Sequence, residues 1–167
     1  MNYAIGDTVV HWTHGLGTVI AIDEMDLAGV TQQYYVVEVK EIKVWVPVSE
    51  ADEGSIRFLT ESIQFKGLLG IMRVLGAALP ENQYQRKLEL RDRMQKRTLE
   101  DLCHVIRDLT DRSHQHTLNQ NDSAVLARAE EHLLDEWVLS LGAERSNALQ
   151  ELEGMLQMDR PEALEQK

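Results

Sequence analysis

GDTVVHWTHGLGTVIAID, Gly6 to Asp23, sets two β-rich runs on either side of a His-Gly-x-Gly bend. Outward from that bend, QQYYVVEVK and IKVWVPV continue the pattern, rich in the valine, isoleucine, threonine and aromatic side chains that suit a pleated surface. HGLG, the residues around Gly29 and the pair Lys40-Glu41 punctuate the runs as turns. In IKVWVPV, strand alternation puts Ile42, Val44 and Val46 on one face and Lys43 and Trp45 on the other. Four short strands so closely spaced, each with one face to bury, predict a small and strongly bent barrel over residues 1–59. Gly15 and Gly17 suit its corner, since glycine accepts positive φ without steric cost.

From Thr60 the period changes from two to about 3.6. Ile63, Leu68, Ile71, Met72 and Leu75 predict a helix over 60–77, ended by Pro80. A second helix covers 82–96. A third begins at Thr98, where Thr98-Leu99-Glu100-Asp101 resembles a capping box. A fourth runs from Asn119 to Leu141 with Gly142 as its C-cap, and a last one covers 143–157. The expected class is therefore α+β in the order β then α: a small barrel over 1–59, then an all-helical bundle of about five helices over 60–167.

The chain has 167 residues and a net charge of -11, an acidity that argues against a nucleic-acid binder. The distribution tells more. Residues 1–59 carry net -6 and residues 98–167 net -9, whereas residues 60–97 carry net +4. One positive zone thus lies between two negative ones, and local arrangement decides what a polyanion feels. No run approaches the roughly 18 apolar residues of a membrane span. The single cysteine, Cys103, and the absence of a signal-like N-terminus are expected of a reducing cytoplasm.

Catalytic readings find little support. His11 and His14 have metal-like spacing, but a zinc site wants three or four ligands and no partner motif supplies them. A metal-dependent hydrolase built on them is the remotest reading. Cys103 and His104 are adjacent in a helix, so they point about 100° apart and cannot pair as nucleophile and base. The HGLG glycines precede a strand, so no helix N-terminus is aimed at a phosphate.

Two surfaces carry more information. On a helical wheel of 82–97, Arg86, Arg93, Lys96 and Arg97 cluster, with Tyr84, Leu88, Leu90 and Met94 on the other side. That cationic face is either an ordinary solvated one, salt-bridged to the acidic helices, or a phosphate contact. Trp45 either packs against the helical domain or belongs to an edge that accepts a partner strand, with Pro47 ending the pairing.

The spaced motifs GD-x-VV, HG-x-G, YYVVEV, KVWVPV and SIRFL, followed by VIRDL and AVLARAEEHLLDE, resemble the bacterial CarD/CdnL transcription regulators. The resemblance implies a Tudor-like N-terminal barrel that binds the β subunit of RNA polymerase by strand addition, through Met25 and the stretch Ile42, Lys43, Val44, Trp45, Val46 and Pro47. It implies a helical domain that reaches promoter DNA and alters the stability of the open complex, with no enzymatic activity, cofactor, small-molecule substrate or membrane. Family members often have arginine near Met25 and at Trp45. Counting back from VIRDL, the wedging tryptophan of the family falls at Gln83, with Tyr84 beside it and the basic neighbours Arg86 and Lys87 following; Arg93, Lys96 and Arg97 of the helical wheel complete the candidate DNA-binding set. The alternative is a polymerase binder without DNA contact that meets another protein through its acidic helices.

Overall fold

The computed structural model describes residues 2–96 and 98–157. The chain divides into two compact units, Met1–Leu59 and Thr60–Lys167.

The first unit is a five-stranded antiparallel sheet, β1 (Thr8–His11), β2 (Gly15–Leu27), β3 (Val30–Val39), β4 (Ile42–Pro47) and β5 (Ile56–Phe58), in the order β4-β3-β2-β1-β5. A short helix α1 (Val48–Asp52) joins β4 to β5. The alternation rule predicts four strands; the fifth is three residues long, too short for a period to appear, and pairs with β1 through Val9↔Phe58 and His11↔Ile56. Val9, Val19, Tyr35, Val37, Val39, Val46 and Ile56 supply one buried cluster from all five strands, closed by Tyr3 and by Ala51 of α1. The sheet is thus curled over its own inner face. A register shift between Val19 and Ala21 bends β2 and exchanges the faces its side chains take.

Glycine acts here in two ways. Gly15 turns with φ 85°. Gly17 is needed for space instead: a Cβ there would lie 2.7 Å from the side chains of both Val37 and Val39. Ala28-Gly29 connects β2 to β3 with both residues at positive φ, the backbone of a tight two-residue hairpin.

The second unit holds α2 (Ser62–Leu68), a 3-10 turn (Leu69–Arg73), α3 (Gln83–Lys96), α4 (Leu99–Gln115), α5 (Gln120–Leu141) and α6 (Arg145–Gln157). Caps match the sequence signals. Thr98 accepts the Asp101 amide, Asn119 accepts the Asp122 amide, and Gly142 closes α5 in the left-handed region. Phe65, Leu90, Ile106, Leu109, Leu133, Trp137 and Leu152 are buried in the common core; each such side chain contributes roughly 1.5–3 kcal/mol.

The expected helix over 60–77 is corrected. Helical hydrogen bonding tightens to 3-10 at Leu69, and Val74 is extended (φ -116°, ψ 155°). The inward phase becomes Phe65, Leu69 and Met72, leaving Ile63 86% exposed. Carboxylates of α4 stop the helix from continuing: Asp111 accepts the Gly76 amide and Asp108 the Ala77 amide. A Cβ on Gly76 would lie 2.7 Å from both carboxylates.

Candidate functional site

β4 is an edge of the sheet, and its main chain can be assigned strand by strand. Pro47 pairs with Tyr34 but has no N–H, so it takes a position that sends no bond to β3. Alternation then turns the Val44 and Val46 amides toward β3 and those of Lys43 and Trp45 outward. The side chains divide in the same rhythm. Val46 is buried in the core and Val44 packs against it, so their side chains are structural. Ile42, Lys43 and Trp45 are exposed and Pro47 is half-buried.

Trp45 neither hangs free nor sits on the inner face. Its indole Nε1 donates to Asp23 Oδ2 at 3.2 Å. Asp23 lies on β2 and Trp45 on β4, so the ring crosses β3. This explains why Tyr34 and Val36, on the sheet's outer face, are 8% and 2% exposed. Trp45 itself remains 44% exposed, a flat platform held beside the free main chain of the edge. Met25 is half-buried on the same outer face, two register positions along from Asp23. Alternation alone identified the face of Trp45; Asp23, twenty-two residues upstream, carried no signal of its role.

The expected orientation of α3 is corrected. Arg86, read as outward, is 5% exposed, and its Nε donates to Asp122 Oδ2 at 2.7 Å. Its Nη1 also holds the Pro80 and Glu81 carbonyls at 2.9 and 3.0 Å. Arg93 donates to Asp108 at 2.7 Å and pairs with Glu89. Burial works against the Arg93 charge, but hydrogen bonds and Coulomb attraction from Asp108 and Glu89 win and raise its pKa. Of the residues read as inward, Tyr84 and Leu88 are 69% and 37% exposed, whereas Leu90 is buried and Met94 packs against the core as expected. Had α3 kept its expected orientation, the buried Asp122 would lose the cation it pairs with and Asp108 would keep only Arg107, whose Nε donates to its Oδ1 at 2.9 Å; a buried carboxylate left without its cation costs several kcal/mol.

What α3 does offer outward is its first turn. Asn82 Oδ1 accepts the Tyr84 and Gln85 amides, both at 3.0 Å, and so caps the helix. Gln83, Tyr84 and Lys87 stand exposed just beyond that cap, with Arg91 and Lys96 further along. Lys96 lies 4.0 Å from Asp92, an exposed contact worth little. Arg97 lies outside the described residues.

The family profile described as "CarD-like/TRCF RID domain" matches residues 3–60, and that described as "CarD, C-terminal domain" matches residues 68–153. The chain belongs to the CarD-like family. It is 28% identical over 138 residues, 80% of this chain and 89% of the relative, to a Bacillus subtilis (strain 168) protein named "Putative transcription factor YdeB". CarD-like proteins are transcription regulators, a family associated with RNA polymerase interaction. No described helix is long and apolar enough to cross a membrane.

Within this CarD-like framework His11 and the cysteine have structural work. His11 is buried, and its Nδ1 accepts the Thr13 and His14 amides at 3.1 and 3.2 Å, shaping the bend between β1 and β2. Cys103 is fully buried, and burial, with Glu136 and Glu100 adding, pushes its thiol up to about 12. A thiol so poor in thiolate is unsuited to nucleophilic work near neutrality.

Proposed function

We propose that this CarD-like chain regulates transcription by docking β4 against the β subunit of RNA polymerase as an added strand, and by placing the first turn of α3 on promoter DNA, where it alters the lifetime of the open complex in the bacterial cytoplasm. The observation that carries the first part is the edge itself. Lys43 and Trp45 turn their main chain away from β3, and Asp23 fixes the Trp45 ring beside them. Strand addition draws its affinity from such main-chain groups and its selectivity from alternate side chains. A ring already held in place loses little conformational entropy on docking.

The DNA part is supported by Tyr84. Gln83, at the position of the family's wedge, has no flat apolar surface, whereas Tyr84 beside it is an exposed aromatic with Lys87 one turn on. An aromatic can stack on an unpaired or kinked base while a nearby cation meets phosphate. Arg86 and Arg93 enter as internal ion pairs that orient α3. The test is equilibrium binding of the full chain to isolated polymerase β subunit, then to polymerase on a forked promoter. Absence of β-subunit binding rejects the docking role, and a promoter-DNA affinity indifferent to salt rejects phosphate contact.

A further inference from the structure

Between the extended segment that follows the 3-10 turn and the second half of α4 lies a cavity of about 120 Å³. A single water needs roughly 10–15 Å³, and an apolar cavity of roughly 150 Å³ admits benzene, so this space suits a molecule of about six heavy atoms. One wall is apolar, formed by Leu75, Ala77, Ala78 and Leu79. The other comes from α4, where Arg112, Gln115 and His116 follow Asp108 and Asp111. Glu81 also lines the cavity, its side chain 77% exposed, directly before the α3 cap Asn82. An apolar wall with a few convergent polar groups is the usual make-up of a small-molecule site.

Arg112 is poorly satisfied where it stands. Its side chain is 12% exposed. A guanidinium has five N–H donors, yet among the described residues its one acceptor is Glu81 Oε1, at a long 3.5 Å, and its Nε is buried with none. A charged donor left in that state is costly. The neighbouring carboxylates are already engaged. Asp108 accepts from Arg93 at 2.7 Å, Arg107 at 2.9 Å and the Ala77 amide, and Asp111 accepts the Gly76 amide at 2.5 Å. With Arg93 and Arg107 included, three guanidiniums face the three carboxylates Glu81, Asp108 and Asp111, so a bare anion meets no net positive field. A dipolar ligand matches that balance. Glu81 can take the cationic end, since only Arg112 at 3.5 Å and His116 Nε2 at 3.9 Å approach its carboxylate. We infer that this cavity binds a small zwitterion, of the class of α-amino acids with a short apolar side chain: the carboxylate meets the Arg112 guanidinium, the ammonium meets Glu81, and the side chain lies on the wall of Leu75, Ala77 and Ala78.

The experiment titrates the isotope-labelled full chain with L-alanine, acetate and ethylammonium and follows its backbone amides by two-dimensional NMR. L-alanine is expected to shift the Gly76, Ala77, Ala78 and Arg112 signals saturably. Acetate and ethylammonium, each lacking one charged end, are expected to bind about tenfold more weakly or less, the scale of one charge-assisted hydrogen bond. Either of them binding as tightly as L-alanine overturns the zwitterion assignment, and no saturable shift with any of the three overturns the site. Arg112→Gln is expected to weaken L-alanine by at least about tenfold, and undiminished affinity overturns the assigned carboxylate partner. Ala78→Phe fills the cavity from an exposed position with Arg112 in place, and so decides the matter even if Arg112→Gln does not fold. It is expected to abolish the L-alanine shifts with an unchanged Tm; L-alanine binding that survives it overturns the inference.

Discussion

β4 and α3 were both read from the sequence as surfaces, one by a period of two and one by a period of 3.6; β4 faces as predicted from Lys43 to Val46, whereas α3 does so only in part, with Leu90 inward and Lys96 outward but Arg86 and Tyr84 exchanged. The difference lies in what each element packs against. β4 has its neighbour one hairpin away, and a pleat leaves each side chain two choices, so Val44 and Val46 inward forces Lys43 and Trp45 outward. α3 turns on a cylinder whose orientation is chosen by helices far along the chain. Asp108 and Asp122, 2% and 1% exposed, claim Arg93 and Arg86. Two of the cations on α3 therefore marked the interior, and an aromatic marked the exterior.

The contrast can be broken at its strongest point first. Arg86→Leu leaves Asp122 buried without its cation and is expected to cost about 3–5 kcal/mol of stability in urea denaturation. Adding Asp122→Leu should recover most of that loss. A cost below about 1 kcal/mol would mean that ion pairs do not set the orientation of α3. Lys43→Pro removes one outward amide and is expected to lower polymerase affinity about a hundredfold, on the order of 2.7 kcal/mol, while the urea midpoint stays within error. If the midpoint collapses instead, the assignment of inward and outward amides on β4 is reversed. Tyr84→Ala should weaken forked-promoter binding about tenfold, the scale of one base stack, and leave stability untouched; a stability loss would return Tyr84 to the interior. The smallest effect is expected of Lys87→Gln, which should reduce the slope of log affinity against log salt by about 0.7–0.9, the signature of a single phosphate contact.

Much of the fold was legible because local rules suffice for it. The β-to-α change near residue 60, the Thr98 and Asn119 caps and the Gly142 stop all depend on groups within a few residues. The helix expected over 60–77 was misread because its N–H groups at Gly76 and Ala77 are taken by carboxylates more than thirty residues away. A signal for the buried arginines did exist. Asp108 lies three residues from Val105 on the apolar stripe of α4, and Asp122 stands three and seven before Val125 and Ala129 on that of α5. A carboxylate on such a stripe requires a buried cation; Asp108 finds one in the adjacent Arg107 as well as in Arg93, and for Asp122 residues 82–97 were the place to look. The placement of Asp23 on the face of Trp45 had no comparable mark, because the register shift at Ile20 exchanges faces along β2.

By itself the sequence determined the order of β and α parts, the resemblance that leads to the CarD-like family, and the side to which β4 turns its side chains. These depend on hairpin registers, caps and composition, whose interactions span few residues. Only the tertiary structure decided which cations of α3 remain available, that Tyr84 faces water, and that Asp23 lays Trp45 flat across β3. Those outcomes depend on pairing charges and hydrogen-bonding groups remote in sequence, and the cost of leaving a buried charge unpaired exceeds the preference of any single helix for one face.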